Sequence, residues 1–84
     1  MVEVNGVSIS DGDARTLVDL LTRVGRADDL AVASVIEYAL AERIGQVDLS
    51  EAGGSAVLGV LDEPPEEGLA RLRVVLARTH SRRP

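Results

Sequence analysis

Residues 30–44 read LAVASVIEYALAERI, and the fold turns on how that stretch is covered. At about 100° per residue, Leu30, Ala33, Leu40, Ala41 and Ile44 fall on one face of a helix, and Val32, Val35 and Ala39 on the other. Ile36 bridges the two groups, and only Glu37, Glu42 and Arg43 interrupt them. A helix that is apolar nearly all round must be covered on several sides. Either the rest of the chain wraps it, or a second subunit closes one face. Asp28 or Asp29 serves as its cap and Gly45 as its stop after Ile44.

The flanking segments give the cover. Asn5-Gly6 lies between the β-branched stretches 2–4 and 7–9, the signature of a two-residue hairpin turn; a single extended strand is the alternative reading. Ser10 with Asp13 three residues on makes a capping box. Ala14, Leu17, Val18, Leu21 and Val24 follow at helical spacing up to Gly25. Ser50 caps a third helix through Ala56, Val57, Val60 and Leu61, although Gly53, Gly54 and Gly59 each cost about 1 kcal/mol there against alanine. A short buried strand over 56–61 is the competing reading, so residues 50–62 stay open between helix and strand. Pro64-Pro65 then breaks the chain before a last helix with Leu69, Leu72 and Leu76 as its buried stripe. The expectation is a mainly α single domain over 1–84: a β element over 1–9, about four helices over 10–80 and a frayed tail over 81–84.

Eighty-four residues make one small domain. The apolar set is small in bulk: 12 Val, 11 Leu, 10 Ala and 3 Ile, with Tyr38 the only aromatic. Such a core is thin for a lone chain, which points to a homodimer with Val32, Val35 and Ala39 in its interface. The absence of cysteine excludes disulfides, thiol nucleophiles and zinc–thiolate sites. The absence of lysine excludes Schiff-base chemistry and the phosphate-loop motif.

Charge divides the chain sharply. Residues 1–67 hold all 14 acids and four of the nine arginines, while residues 68–84 hold five arginines and no acid. Arg71, Arg78 and Arg82 line up opposite the leucine stripe, with Val75 among them. They are the candidate partner-binding residues, suited to acidic groups on a protein or to phosphates. The net charge of −5 disfavours general nucleic-acid binding, and no aromatic is interleaved to stack on bases.

No set of residues assembles an enzyme. Asp11-Gly12-Asp13 opens like a calcium loop, but Arg15 and Thr16 occupy its fifth and sixth positions. Asp62, Glu63, Glu66 and Glu67 read as acids complementing a helix N-terminus rather than a cation site. Gly53-Gly54-Ser55 lacks the lysine of a phosphate cradle, and His80, the single histidine, complements a helix C-terminus. The expectation is therefore no catalysis, no cofactor and no metal. No apolar stretch reaches the length of a membrane span or a signal segment, so the expected setting is cytoplasmic.

Two resemblances accompany this reading. The order strand, helix, helix over 7–44, with Ser34-Val35-Ile36-Glu37-Tyr38-Ala39-Leu40 as the second-helix pattern, resembles ribbon-helix-helix repressors. That likeness implies paired N-terminal strands in a DNA-binding dimer. That family reads DNA with polar and basic strand residues, whereas the strand here offers Glu3, Asn5 and Ser8, and the Asn5-Gly6 turn cuts the ribbon short. Residues 46–80, with Leu49-Ser50-Glu51, Val57–Pro65 and Gly68–Leu76, are similar to the C-terminal half of small uncharacterised actinobacterial proteins. That likeness implies a helical fold and no activity. The leading expectation is a non-catalytic interaction or adaptor module that pairs with itself and with another protein; the alternative is the DNA-binding regulator.

Overall fold

In the computed structural model of the chain the described residues are 1–62 and 67–81, the last three as backbone only. Strands β1 (Val2–Val4) and β2 (Val7–Ile9) form the hairpin. Helices α1 (Asp11–Val24) and α2 (Ala27–Ala41) follow, then a two-residue strand β3 (Gln46–Val47), and helices α3 (Glu51–Val60) and α4 (Glu67–Ser81). The chain is mainly α, with four helices and a small N-terminal sheet of order β2-β1-β3.

The hairpin turn forms because Asn5 and Gly6 tolerate the left-handed backbone it needs, with φ of 50° and 84°. Alternation then sends Val2, Val4 and Ile9 into the core and leaves Glu3 and Ser8 in solvent. β3 pairs parallel to β1, with Glu3 N–H donating to the Gly45 carbonyl at 2.8 Å and Asn5 N–H to that of Val47 at 3.0 Å. The Asn5 side-chain oxygen accepts from Leu49 N–H at 2.8 Å. One turn residue thus closes the hairpin and also fastens it to the entry of α3.

Helix boundaries follow their caps. Ser10 Oγ accepts from Asp13 N–H at 3.1 Å, and Gly25, at φ 73°, donates to the Leu21 carbonyl to end α1. Ser50 Oγ accepts from Gly53 N–H at 3.1 Å, and residues 51–60 are helical, which resolves the helix-or-strand question. α2 departs from expectation at both ends. It starts earlier, with Arg26 as N-cap and Asp29 inside the first turn. It stops at Ala41, before Gly45 is reached, because Arg43 takes the left-handed conformation at φ 55°. Ile44 N–H then reaches back to the Ala39 carbonyl at 2.8 Å and Arg43 N–H to that of Leu40 at 3.4 Å, the pairing of a Schellman stop.

The core takes Ala14, Leu17 and Leu21 from α1, Val32, Ala33, Ile36 and Ala39 from α2, Val57 and Leu61 at α3, and Leu69, Leu72 and Leu76 from α4, under the sheet valines and Ile9. Gly53 and Gly54 are buried, and a Cβ on Gly53 would stand 3.1 Å from Val32 Cγ2. The cost of Gly53 in helix propensity is the condition for α3 to approach α2 closely. Pro64-Pro65, Glu63, Glu66 and Arg82 lie outside the described residues; of the tail expected to fray over 81–84, Ser81 is the last residue of α4 and 82–84 lie outside the described residues.

Candidate interaction surfaces

α2 presents the first surface. Its inner arc is Asp29, Val32, Ala33, Ile36 and Ala39. Val32 and Ala39, expected in a dimer interface, are therefore core residues, 5 % and 2 % exposed. The two faces read from the sequence are both cut by the real boundary, because Ile36 marks the centre of the buried arc and not a seam between two halves. Of the three candidates only Val35 is exposed, at 48 %.

The opposite arc holds Leu30, Ala31, Ser34, Val35, Tyr38 and Ala41, all exposed and none charged. Tyr38, the chain's only aromatic, is 61 % exposed in the middle of it. Asp28, Glu37 and Glu42 border the patch, and Asp28 and Asp48 share a groove with Ala31 and Val35. On one side it runs into a groove of about 390 Å³ against α1, lined by Arg15, Val18, Glu37, Leu40 and Ala41. Sequence reading missed this arc because apolar residues at all angles give no direction; only the packing of α1 and α3 fixes which side faces in.

At the start of α2, Asp29 is the one charged residue fully buried among the described residues. Its Oδ2 accepts from Arg26 N–H at 3.3 Å and from Arg26 Nε–H at 2.9 Å, while its Oδ1 has no partner among the described residues. The hydrogen bond and charge of Asp29 hold the Arg26 guanidinium above its ordinary pKa. This pair fixes the first turn of α2 where a serine or threonine cap is missing.

α4 presents the second surface. Leu69, Leu72 and Leu76 are buried, and Arg71 and Arg78 are exposed on the opposite face, as their spacing requires. Arg82 lies outside the described residues, so the stripe is defined at two of its three positions. Arg71, with Val74 and Val75, forms one wall of a groove of about 430 Å³ whose other wall is Gly6, Val7 and Ser8 of the hairpin. No ion pair engages Arg71, Arg73 or Arg78 among the described residues.

The remaining candidates have structural duties. Asp11 pairs with the Met1 amine at 2.6 Å, which holds its carboxyl below the usual carboxylate range. The Gly53 and Gly54 amides are taken up by the Ser50 hydroxyl and carbonyl. Among the described residues, no three His, Cys, Asp or Glu side chains converge as metal ligands do. None of their helices is long and apolar enough to cross a membrane. No family model, curated protein or solved structure matches this chain.

Proposed function

We propose that the protein is a non-catalytic interaction module, working in the cytoplasm, that pairs with a second copy of itself through the outer face of α2 and meets an acidic protein through α4. The observation that carries this reading is the uncharged arc Leu30, Ala31, Ser34, Val35, Tyr38 and Ala41 with the exposed Tyr38 at its centre. Tyrosine is among the residues that most often anchor interfaces, because its ring buries area at low entropic cost and its hydroxyl stays paired at the rim. Ala31 and Ser34 beside it are small enough for a partner helix to approach closely. Two-fold pairing closes such a patch with one interface and leaves no second sticky surface.

The hairpin supports this reading over the DNA-binding alternative. Both edges of β1 are already occupied, by β2 and β3 of the same chain. A ribbon dimer needs its N-terminal strand for the partner chain, and its outward side chains here are Glu3 and Ser8.

The test compares masses by light scattering after size exclusion. The double variant Val35→Glu, Tyr38→Glu is expected to run as a folded monomer with unchanged helical circular dichroism, because both residues lie outside the core. Asp19→Ser on the outer side of α1 is expected to keep the mass of the unmodified protein. If the double variant retains a dimer mass, the α2 face is not the interface.

A further inference from the structure

We propose that the groove between β2 and α4 receives an extended segment of a partner protein, added as a fourth strand beside β2, with acidic side chains directed at Arg71. This rests on the reading of the protein as an interaction module but not on pairing through α2.

Three observations converge on the groove. First, the sheet order β2-β1-β3 leaves the outer edge of β2 without a neighbouring strand among the described residues. Second, the register exposes its backbone groups. Glu3 pairs with Ser8 across the hairpin, and Glu3 N–H points the other way, to Gly45 on the β3 side. Glu3 and Ser8 are therefore the pair without mutual hydrogen bonds, which turns the Ser8 N–H and C=O outward. An unpaired strand edge of this kind is a template for another strand. Third, the groove along that edge has a valine floor of Val7, Val74 and Val75 and one cation, Arg71, with no acid in its lining.

The geometry states what fits. An antiparallel strand whose central residue exchanges both backbone bonds with Ser8 places that residue on the outer sheet face, beside Ser8 and near Glu3. Its two neighbours, opposite Val7 and Ile9, turn toward α4. Those inward positions suit an apolar side chain on Val74 and Val75 and a carboxylate on Arg71. The central position suits a neutral polar residue, since Glu3 repels an acid there. A second copy of this chain is a poor occupant. Pairing β2 with β2 across a two-fold axis would bring the two Arg71 side chains and their α4 helices, which carry arginine in excess, toward each other. A carboxylate on an extended chain also fits this valine-lined groove with its one cation better than a duplex, whose phosphates would meet the acidic remainder of the surface.

The test uses a fluorescein-labelled heptapeptide in which glutamate and valine alternate with threonine, and reads binding by anisotropy and by amide shifts in ¹⁵N spectra. The expected result is salt-sensitive binding that shifts the Gly6 and Ser8 amides and the Arg71–Val75 stretch. Arg71→Glu is expected to weaken it by about tenfold or more, the scale of one charge-assisted contact. The lysine analogue is expected to bind the unmodified protein poorly and Arg71→Glu better. Methylating the backbone nitrogen of the central threonine is expected to abolish binding, because it removes the bond to Ser8. Equal binding of glutamate and lysine peptides, indifference to the methyl group, shifts confined to α2, or no binding of any peptide would overturn the proposal. Binding of duplex DNA at the same amides in place of peptide would overturn it in favour of a phosphate site. The two readings separate cleanly: Arg71→Glu should leave the light-scattering mass unchanged, and the Val35→Glu, Tyr38→Glu monomer should still bind the peptide.

Discussion

α1 and α2 are 14 and 15 residues long and joined by two residues, yet they solve opposite problems. α1 buries Ala14, Leu17 and Leu21 and shows water Arg15, Asp19 and Arg23. α2 buries an aspartate among its aliphatic residues and shows water Leu30, Val35 and Tyr38. α1 leaves one large apolar residue, Val24 near its end, exposed; α2 leaves three on one face, and that face is the one proposed to pair. An exposed apolar residue alone carries no message; a contiguous uncharged helix face with the chain's single tyrosine in it does.

The largest effects should come from matched truncations on the two helices. Leu17→Ala and Leu21→Ala remove fully buried side chains and are expected to cost about 3 kcal/mol each in urea unfolding. Leu30→Ala, the same chemistry on the outer arc of α2, should cost under about 1 kcal/mol in the separated monomer and weaken association instead. A loss at Leu30 as large as that at Leu17 would erase the distinction between the helices.

The next effect tests what holds α2 in place. Gly53→Val puts three carbons against Val32, and overpacking of this kind costs about 2 kcal/mol. Gly59→Ala, on the exposed side of the same helix, should stabilise by about 0.5–1 kcal/mol. Opposite signs from two glycines of α3 would show that α2 needs one of them and only tolerates the other.

Helix ends give a smaller contrast. α1 stops on Gly25, where the left-handed backbone is free of strain; α2 stops on Arg43, where it is not. Arg43→Gly is expected to raise the urea midpoint by an amount worth about 1 kcal/mol. The smallest effect separates the two first-turn acids. Asp11 is exposed, and its bond to the Met1 amine and the charge of that amine hold its carboxyl below the ordinary carboxylate value. Its contribution is fully present above the unfolded value and fades as pH falls through the folded one. Asp11→Asn should therefore trim stability slightly at neutral pH, with the difference shrinking as the pH is lowered into the acid range.

These contrasts mark what sequence could and could not show. α1 was legible because Ser10, the leucine spacing and Gly25 each impose one local geometry. The leucine stripe of α4 and its opposing Arg71 and Arg78 were legible for the same reason. β3 was not: two residues carry no periodicity, and Gln46 and Val47 become a strand only because β1 has an open edge. The inner arc of α2 was not, because hydrophobicity spread around the axis leaves rotation to tertiary contacts. Its stop was misplaced at Gly45 because Arg43 adopts a conformation that sequence statistics reserve for glycine.

Pairing through α2 is tested most directly by the mass of the unmodified protein across a dilution series. A helix of 15 residues is about 22 Å long, long enough for its outer face to serve as one side of a two-fold interface. Sedimentation equilibrium should give twice the chain mass of 8.9 kDa at micromolar concentration, the range the size-exclusion comparison samples, and fall toward the single-chain value on further dilution. A single-chain mass at every concentration, up to the solubility limit, would contradict the account.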